Sequence, residues 1–393
     1  MKRIPGNRFL HSPGPTHVPD EVLDAMRRQP MDLADPRLGQ VIEACENGLK
    51  RLLQTRHAEV CMFAGNGHGA WEVAIDNLVA PGLAVLVPGT GHFSESWAVQ
   101  TEALGRRVIR TPYREGYPID ATAVEHALRA DTAREIAAVF VVHTDTASGV
   151  TSDLRALRAA IDAADHPALF VVDAVASLAA APFAMDELQV NVAVGASQKG
   201  LMVPPGLAFV AVDSVAAKVA SRNPAPRFYW DWDRRRSDLA YRKFCGTPPQ
   251  NLLMGLEVAI SLLFREGIDE VIARHHLLAR AVHAAVDCWT REGALQFFGQ
   301  LPETRSVSVT TVLVRPEIDP EAMRTVARER FQVAIAGGLG PLAGRVFRIG
   351  HLGDLNPAMI LGCLAGIEAA MSVQRIPYGR DGMQQAIACL AAD

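Results

Sequence analysis

The sequence predicts an α/β protein with a large domain built on a mostly parallel sheet of seven strands, followed by a smaller α+β C-terminal domain. From about residue 58, short apolar runs alternate with helical patterns, as in a parallel sheet wrapped by helices. Runs such as Val139-Phe140-Val141-Val142 lack strict alternation, which is typical of strands covered on both faces. The length of 393 residues also indicates more than one domain.

The elements of the large domain follow in order. The predicted strands are 59–63, 84–88, 107–111, 137–143, 168–173, 190–196 and 207–212, with helices between them. A polar, aromatic and arginine-rich stretch at 227–243 then leads to a helical pattern over 251–289, which we expect to bridge the domains.

The rest of the chain predicts the smaller domain. It contains β-rich runs at 307–314 and 346–350, a helical pattern at 320–331 and further helices after Asn356. We therefore divide the chain into an N-terminal arm (1–16), a large cofactor-binding domain (17–266) and a small C-terminal domain (267–393).

Composition and charge exclude some classes of function. The formal net charge of −4 provides no basic field that would attract nucleic acid or an anionic membrane. Proline and glycine at positions 5 and 6 precede any apolar core of a signal peptide, so we expect a cytoplasmic location. The six cysteines are scattered without zinc-site spacing, and no metal is expected.

A glycine-rich turn, Gly65-Asn66-Gly67-His68-Gly69, connects the first predicted strand to a helix. Glycines let the backbone approach a phosphate, and the helix N-terminus supplies unpaired N–H groups. Because such turns are also common without a ligand, this motif alone is weak evidence.

Asp173 ends the apolar run Leu169-Phe170-Val171-Val172. A carboxylate at the carboxyl end of a central strand points into the crevice where open α/β sheets bind ligands. There it could keep a pyridine nitrogen protonated, which makes the ring an electron sink. The alternative is a helix or turn cap after the strand.

Lys199 follows another predicted strand, in Ser197-Gln198-Lys199-Gly200. A lysine amine condenses with aldehydes, most readily where its surroundings lower its pKa. A lone loop lysine is usually a solvated surface charge. Here the preceding buried strand and the turn Pro204-Pro205-Gly206 indicate a fixed loop.

Arg348 is the only charged residue in the apolar run Val346-Phe347-Arg348-Ile349-Gly350. Its planar fork suits a substrate carboxylate, and an internal salt bridge is the alternative. The glycine turn, the strand-end carboxylate, the loop lysine and this arginine occur in the order that a pyridoxal 5'-phosphate site requires.

In these motifs the chain resembles class V aminotransferases, most closely the branch with alanine-, serine- and aspartate-glyoxylate aminotransferases. The resemblance covers nearly the whole chain. It is carried by Pro13-Gly14-Pro15-Thr16, Gly67-His68-Gly69-Ala70-Trp71-Glu72, Val172-Asp173, Gly195-Ala196-Ser197-Gln198-Lys199, Gly337-Gly338-Leu339-Gly340 and Arg348-Ile349-Gly350-His351-Leu352-Gly353. It implies the pyridoxal phosphate-dependent transferase fold type I, with pyridoxal 5'-phosphate as the cofactor.

The resemblance also implies roles for individual residues. It makes Lys199 the covalent anchor of the cofactor and Gly14 a substrate contact, and it gives cofactor contacts to Gly67, His68, Phe93, Thr146, Asp173 and Gln198. Phe93 would stack on the pyridine ring, although an ordinary core phenylalanine stays open. Thr146 would hydrogen-bond near the cofactor hydroxyl or the substrate. Thr247 would reach the phosphate of the partner subunit, which implies a homodimer with shared active sites.

Two positions depart from the family pattern. Relatives commonly have a tyrosine three residues before the threonine at 247, whereas this chain has Phe244, so one hydroxyl contact to the phosphate is in doubt. The segment Asp32-Leu33-Ala34-Asp35-Pro36 has Ala34 where serine- and aspartate-glyoxylate enzymes usually have an arginine.

The expected activity is ping-pong transamination. Lys199 would move a proton between substrate and cofactor, Asp173 would stabilise charge on the ring, and Arg348 would hold the α-carboxylate. The donor would be serine, alanine or aspartate and the acceptor a 2-oxo acid, with glyoxylate favoured. The alternatives are a pyridoxamine-pyruvate aminotransferase and a lyase of the cysteine desulfurase type. A catalytically dead binding domain is disfavoured because it has no need of a reactive lysine paired with a carboxylate.

Overall fold

The computed structural model describes residues 6–392, so residues 1–5 of the predicted N-terminal arm and Asp393 lie outside it. Two main sheets with helices packed around them confirm the predicted α/β class and the mostly parallel seven-stranded sheet. The predicted domain boundaries stay a prediction. The described strands are β1 (Phe9–His11), β2 (Glu59–Gly65), β3 (Ala84–Val87), β4 (Arg107–Arg110), β5 (Ile136–Val142), β6 (Thr144–Asp145), β7 (Val150–Thr151), β8 (Leu169–Asp173), β9 (Val192–Ala196), β10 (Gly206–Val212), β11 (Leu295–Phe297), β12 (Val309–Val314), β13 (Val333–Gly337) and β14 (Val346–Gly350).

Helices cover both faces of the large sheet and one side of the small one. The described helices are α1 (Asp20–Met26), α2 (Pro36–Leu52), α3 (Gly67–Leu78), α4 (His92–Ala103), α5 (Ala121–Ala130), α6 (Leu154–Ala163), α7 (Ser214–Arg222), α8 (Ala240–Lys243), α9 (Gln250–Glu266), α10 (Ile268–Trp289), α11 (Pro320–Arg330), α12 (Pro357–Val373) and α13 (Gly382–Ala391). No helix within residues 6–392 has the length and apolarity needed to cross a membrane. The expected cytoplasmic location stays a prediction.

The large sheet has the strand order β2-β10-β9-β8-β5-β3-β4, and β10 is its one antiparallel member. Every residue of β8 and β9 is buried, as their apolar sequences predict for central strands. In the register, Asp173 at the end of β8 pairs with Val142 of β5 and with Val194 of β9. The carboxyl ends of these three strands therefore meet at one edge, which is where Lys199 follows β9.

The small sheet has the order β1-β13-β14-β12-β11. Its edge strand β1 comes from the N-terminal arm and pairs in parallel with β13, so the two ends of the chain share one sheet. The β-rich runs at β12 and β14 confirm the prediction, whereas the short strands β1, β11 and β13 were missed. Arg348 lies in β14, with Thr311 of β12 on one side and Ala336 of β13 on the other.

The helical pattern predicted over 251–289 is two helices rather than one. Gly267 separates α9 from α10, and its φ of 97° lies in the left-handed region that favours glycine. The predicted helical pattern is therefore confirmed, and the hydrophobic pattern alone does not show the break at this single residue.

Candidate active site

The carboxyl ends of β5, β8 and β9 open onto a cavity of about 310 Å³. It brings together most of the residues predicted from the sequence. The lining includes Gly14, Gly67, His68, Phe93, Thr146, Asp173, Gln198 and Lys199. These residues come from six separate segments of the chain, and the strand order of the large sheet brings them to a single edge.

The glycine-rich turn forms the N-terminus of α3 at the cavity wall. The side-chain oxygen of Asn66 caps this helix by accepting from the backbone N–H of Gly69 at 3.3 Å. Gly67 and His68 form the first turn of the helix, where backbone N–H groups have no partner within the helix. This end of the helix is suited to an anion such as a phosphate.

Asp173 is buried and accepts two hydrogen bonds. One carboxylate oxygen accepts from the indole N–H of Trp71 at 2.8 Å, and the other accepts from the backbone N–H of Val175 at 2.7 Å. Burial raises the pKa of Asp173 to about 6, while these two bonds and the charge of Lys199 oppose that rise. The carboxylate is thus largely ionised at neutral pH.

Lys199 is buried, and its amine donates to the backbone carbonyl of Pro13. Burial, together with the charge of Arg348, lowers the pKa of Lys199 to about 8. Gly14 passes directly over the side chain, because a Cβ on Gly14 would lie 2.5 Å from Cδ of Lys199. Only glycine lets the arm lie this close to the lysine, and the predicted substrate contact of Gly14 stays a prediction.

Arg348 lies beside the cavity rather than in its wall. Its guanidinium donates to the carbonyl of Thr146 at 2.8 Å and to that of Gly337 at 2.6 Å. No carboxylate of the described chain forms an ion pair with it, so the alternative of an internal salt bridge does not hold. Burial lowers the pKa of Arg348 to about 10, at which the group keeps its positive charge at neutral pH.

Two residues in this region were missed by the sequence reasoning. Trp71 was noted only as part of a motif, yet it is the side-chain donor to Asp173. Asp145 is buried, and its carboxylate accepts from the backbone N–H groups of Phe93 and Ala147, each at 2.8 Å. It thereby fixes the start of α4, which carries Phe93 to the cavity. An aspartate in the turn Thr144-Asp145-Thr146-Ala147-Ser148-Gly149 was the available signal.

Thr247 is the one predicted cofactor contact that the fold does not bring to this cavity. It is exposed, in the loop between α8 and α9. A contact to the partner subunit's cofactor remains a prediction. Phe244 is buried in the core and Ala34 is exposed. Neither position therefore supplies the polar side chain that the family pattern has there.

The residues of the cavity fit pyridoxal 5'-phosphate. The side-chain oxygen of Gln198 is buried and has no hydrogen-bond partner within residues 6–392, although buried polar atoms are normally paired. A ligand group that donates a hydrogen bond would pair this oxygen. The same cavity offers a helix N-terminus for a phosphate, an ionised carboxylate for a ring nitrogen and an amine for an aldehyde.

This combination of a fold and a site defines a class of protein. A mostly parallel sheet with an aspartate and a lysine at adjoining strand ends, and an arginine from a second sheet beside them, is the arrangement of pyridoxal phosphate-dependent transferases of fold type I.

The chain belongs to the class V aminotransferases, since the family model described as "Aminotransferase class-V" matches residues 8–342. It is 39% identical over 367 residues to an L-aspartate–glyoxylate aminotransferase of Paracoccus denitrificans, covering 93% of this chain and 91% of the relative. It is also 39% identical over 374 residues to a serine–glyoxylate aminotransferase of Methylorubrum extorquens, covering 94% and 92%.

A solved structure extends the similarity to the whole fold. Pyridoxamine-pyruvate aminotransferase from Mesorhizobium loti matches with a TM-score of 0.90 and 27% identity, over 100% of both chains. The predicted family and enzyme class, a pyridoxal phosphate-dependent transaminase, are therefore confirmed. The family and its structural neighbours imply pyridoxal phosphate as the cofactor.

Proposed function

We propose that this chain transfers the amino group of a small amino acid, namely serine, alanine or aspartate, to glyoxylate by a ping-pong mechanism. The observation that carries the proposal is the single cavity in which the buried carboxylate of Asp173 and the buried amine of Lys199 meet. The names of the two relatives at 39% identity favour glyoxylate as the acceptor.

Pyridoxal 5'-phosphate, when bound, supplies an aldehyde that takes up the amino group and a ring that withdraws electrons from the reacting carbon. We assign the phosphate to the N-terminus of α3, at Gly67 and His68, and we give Gln198 a separate contact to the cofactor. Asp173 keeps the ring nitrogen protonated because an ionised carboxylate stabilises the cation beside it. Phe93 would hold the ring by stacking on it, and Thr146 would donate to a polar group of the cofactor or the substrate.

Lys199 serves as the covalent anchor and as the proton carrier. A pKa of about 8 leaves a useful share of its amine neutral near neutral pH, so it can attack a carbonyl carbon and accept a proton. The amine of Lys199 lines the cavity and would be placed to carry a proton to and from the substrate α-carbon. Its hydrogen-bond partner in the described chain is the neutral carbonyl of Pro13 rather than a carboxylate.

Arg348 binds the α-carboxylate of the donor and of the oxo acid. Its two hydrogen bonds go to neutral carbonyls, so no carboxylate of the described chain is bonded to the guanidinium. A planar fork that is already held by two bonds loses little freedom when it binds a carboxylate. Gly14, next to Lys199, contacts the substrate in this proposal.

A survey of half-reactions tests the proposed substrates. Each amino acid is added to the pyridoxal form of the enzyme, and glyoxylate, pyruvate or oxaloacetate is added to the pyridoxamine form, while the absorbance of the cofactor is followed. We expect serine, alanine or aspartate to convert the first form and glyoxylate to restore it most rapidly. If glyoxylate fails to restore the pyridoxal form, the proposed acceptor is wrong.

The second candidate is a pyridoxamine-pyruvate aminotransferase, favoured by the structural match to that enzyme at a TM-score of 0.90. Turnover of free pyridoxamine with pyruvate would support it, whereas cofactor that stays bound through dialysis would count against it.

The cysteine desulfurase alternative needs a mobile thiol at the site. No cysteine lines the cavity in the described chain, and Cys363 is fully buried in α12.

We further propose a homodimer in which Thr247 binds the cofactor phosphate of the partner subunit. The loop that contains Thr247 is exposed, and exposed aromatic side chains lie near it in the sequence at Phe228, Tyr229 and Tyr241.

The test of the shared site mixes two impaired variants, Lys199→Ala and Thr247→Ala, under conditions that exchange subunits. In a shared-site dimer, one site of each hybrid carries both changes and the other carries neither, so activity returns. No recovery, with hybrids demonstrated by mass spectrometry, would contradict the shared site.

A further inference from the structure

Beside the cavity, three aromatic rings form a buried stack. The rings of Trp71 and Trp97 have centroids 5.3 Å apart and planes inclined by 10°, and Trp97 lies 4.5 Å from Phe140 at 15°. All three are almost completely buried. Because α3, α4 and β5 each contribute one ring, the stack fixes the plane of Trp71 relative to the sheet.

The two indoles of the stack differ in what their N–H groups contact. The Trp71 N–H donates to Asp173 at 2.8 Å. The Trp97 N–H is buried and has no hydrogen-bond partner within residues 6–392. One indole therefore combines packing with a bond to the site, and its neighbour provides packing alone.

We propose that Trp71 is a positioning residue for the reaction: it holds the Asp173 carboxylate ionised and aimed at the cofactor's ring nitrogen. The proposal rests on the proposed function. It rests equally on the stack, since a rigid, fully buried donor leaves the carboxylate one orientation in which both of its oxygens are paired.

The surroundings of Asp173 show why this donor matters. Burial alone would favour the neutral acid, which cannot stabilise a protonated ring nitrogen. The backbone N–H of Val175, the N–H of Trp71 and the charge of Lys199 all favour the ionised form, whereas the nearby charge of Asp145 opposes it. Of the groups that favour ionisation, Val175 belongs to the backbone and Lys199 is engaged with the cofactor. Trp71 is thus the side chain that stabilises the carboxylate while its own position is fixed by packing in the stack.

The test compares Trp71→Phe with Trp97→Phe, a matched control from the same stack that removes an unpaired N–H. Cofactor-free protein is titrated with pyridoxal 5'-phosphate and with its 1-deaza analogue, in which carbon replaces the ring nitrogen. The ratio of the two dissociation constants reports the contact between Asp173 and the ring nitrogen, independently of turnover. We expect Trp71→Phe to lower this preference for the nitrogen-containing ring about tenfold or more, because bonds to charged groups are the strong ones.

The pH dependence of the same ratio gives a second signature. As pH falls the carboxylate is protonated and the preference for the nitrogen-containing ring is lost. Without the Trp71 donor the pKa of Asp173 rises further, so this loss begins at a higher pH than in the wild-type protein. Trp97→Phe should leave both the ratio and its pH profile unchanged.

Two outcomes would overturn the proposal. One is an equal loss of preference in Trp97→Phe, which would make the effect one of packing. The other is an unchanged preference in Trp71→Phe. If Trp71→Phe fails to fold, benzothienylalanine at position 71 keeps the shape of the indole but has sulfur in place of the N–H, and the same two outcomes apply to it. Failure of the wild-type protein to bind pyridoxal 5'-phosphate would instead contradict the proposed function itself.

Discussion

Two regions of the molecule bury ionisable side chains, and the regions differ in the hydrogen bonding and the pKa values of those side chains. At the cavity, Lys199 has three amine protons and one acceptor, the Pro13 carbonyl. Beside the small sheet, His351 bonds Thr310 at 2.9 Å and the Val307 carbonyl at 2.9 Å, so both ring nitrogens are paired. His275 likewise bonds the Val271 carbonyl and the Gly353 N–H.

The difference separates groups kept for chemistry from groups kept for structure. Burial lowers the pKa of His351 well below its usual value and that of His275 to about 4, so both rings are neutral and fully bonded at neutral pH. Burial moves the pKa of Lys199 to about 8 and that of Asp173 to about 6, both within reach of neutral pH. A pKa near neutrality distinguishes these two groups from the structural histidines.

The largest expected effect is at Lys199. Replacing it by alanine removes both the anchor and the proton carrier, so we expect kcat/KM for amino transfer to fall by roughly a thousandfold or more. The exposed Lys218 provides the control, since Lys218→Ala removes a lysine from a solvated surface. Steady-state rates of both variants with serine and glyoxylate check this. Full activity in Lys199→Ala would contradict the assignment of Lys199 to the reactive region.

The structural histidines should show the opposite pattern. His351→Leu leaves the Thr310 hydroxyl and the Val307 carbonyl without their partner, and we expect the free energy of unfolding to fall by about 2–4 kcal/mol. The cofactor affinity of the folded protein should not change. Urea unfolding measures the loss, with the exposed His126 replaced by leucine as the control. A loss of cofactor affinity with intact stability would place His351 in the reactive group.

Arg348 has features of both the reactive and the structural side chains. It is bonded to backbone carbonyls, and we also propose that it binds the substrate. Arg348→Lys keeps the charge but loses the fork, and we expect KM for the amino donor to rise about tenfold to hundredfold with a smaller change in kcat. The exposed pair of Arg345 with Glu115 offers a control in Arg345→Lys. An unchanged KM would show that Arg348 serves only the structure.

The smallest effect is a dependence of stability on pH in the cofactor-free protein. The folded pKa of Lys199, about 8, lies below its unfolded value of 10.5, so the unfolded chain binds more protons between these two values. The free energy of unfolding should therefore gain up to about 1 kcal/mol per pH unit over that window, relative to Lys199→Met. Paired urea titrations at pH 8, 9 and 10 measure it. Parallel pH profiles would contradict the lowered pKa.

Much of the reactive region could be predicted because it depends on local order along the chain. An apolar run that ends in Asp173, followed by another that leads to Lys199, indicates parallel strands whose ends share an edge. The second sheet was harder, because β1 pairs with a strand more than 300 residues away and a three-residue run carries little periodicity. The bond from Trp71 to Asp173 was equally hidden, since a tryptophan in a helix ordinarily predicts packing.

The central claim is that the buried amine of Lys199 is the one that anchors the cofactor. Borohydride reduction of the enzyme loaded with pyridoxal 5'-phosphate, followed by peptide mass mapping, tests this most directly. We predict one modified site per chain, at Lys199, together with loss of the cofactor absorbance near the visible edge. A label on another lysine, or none after loading, would contradict the account.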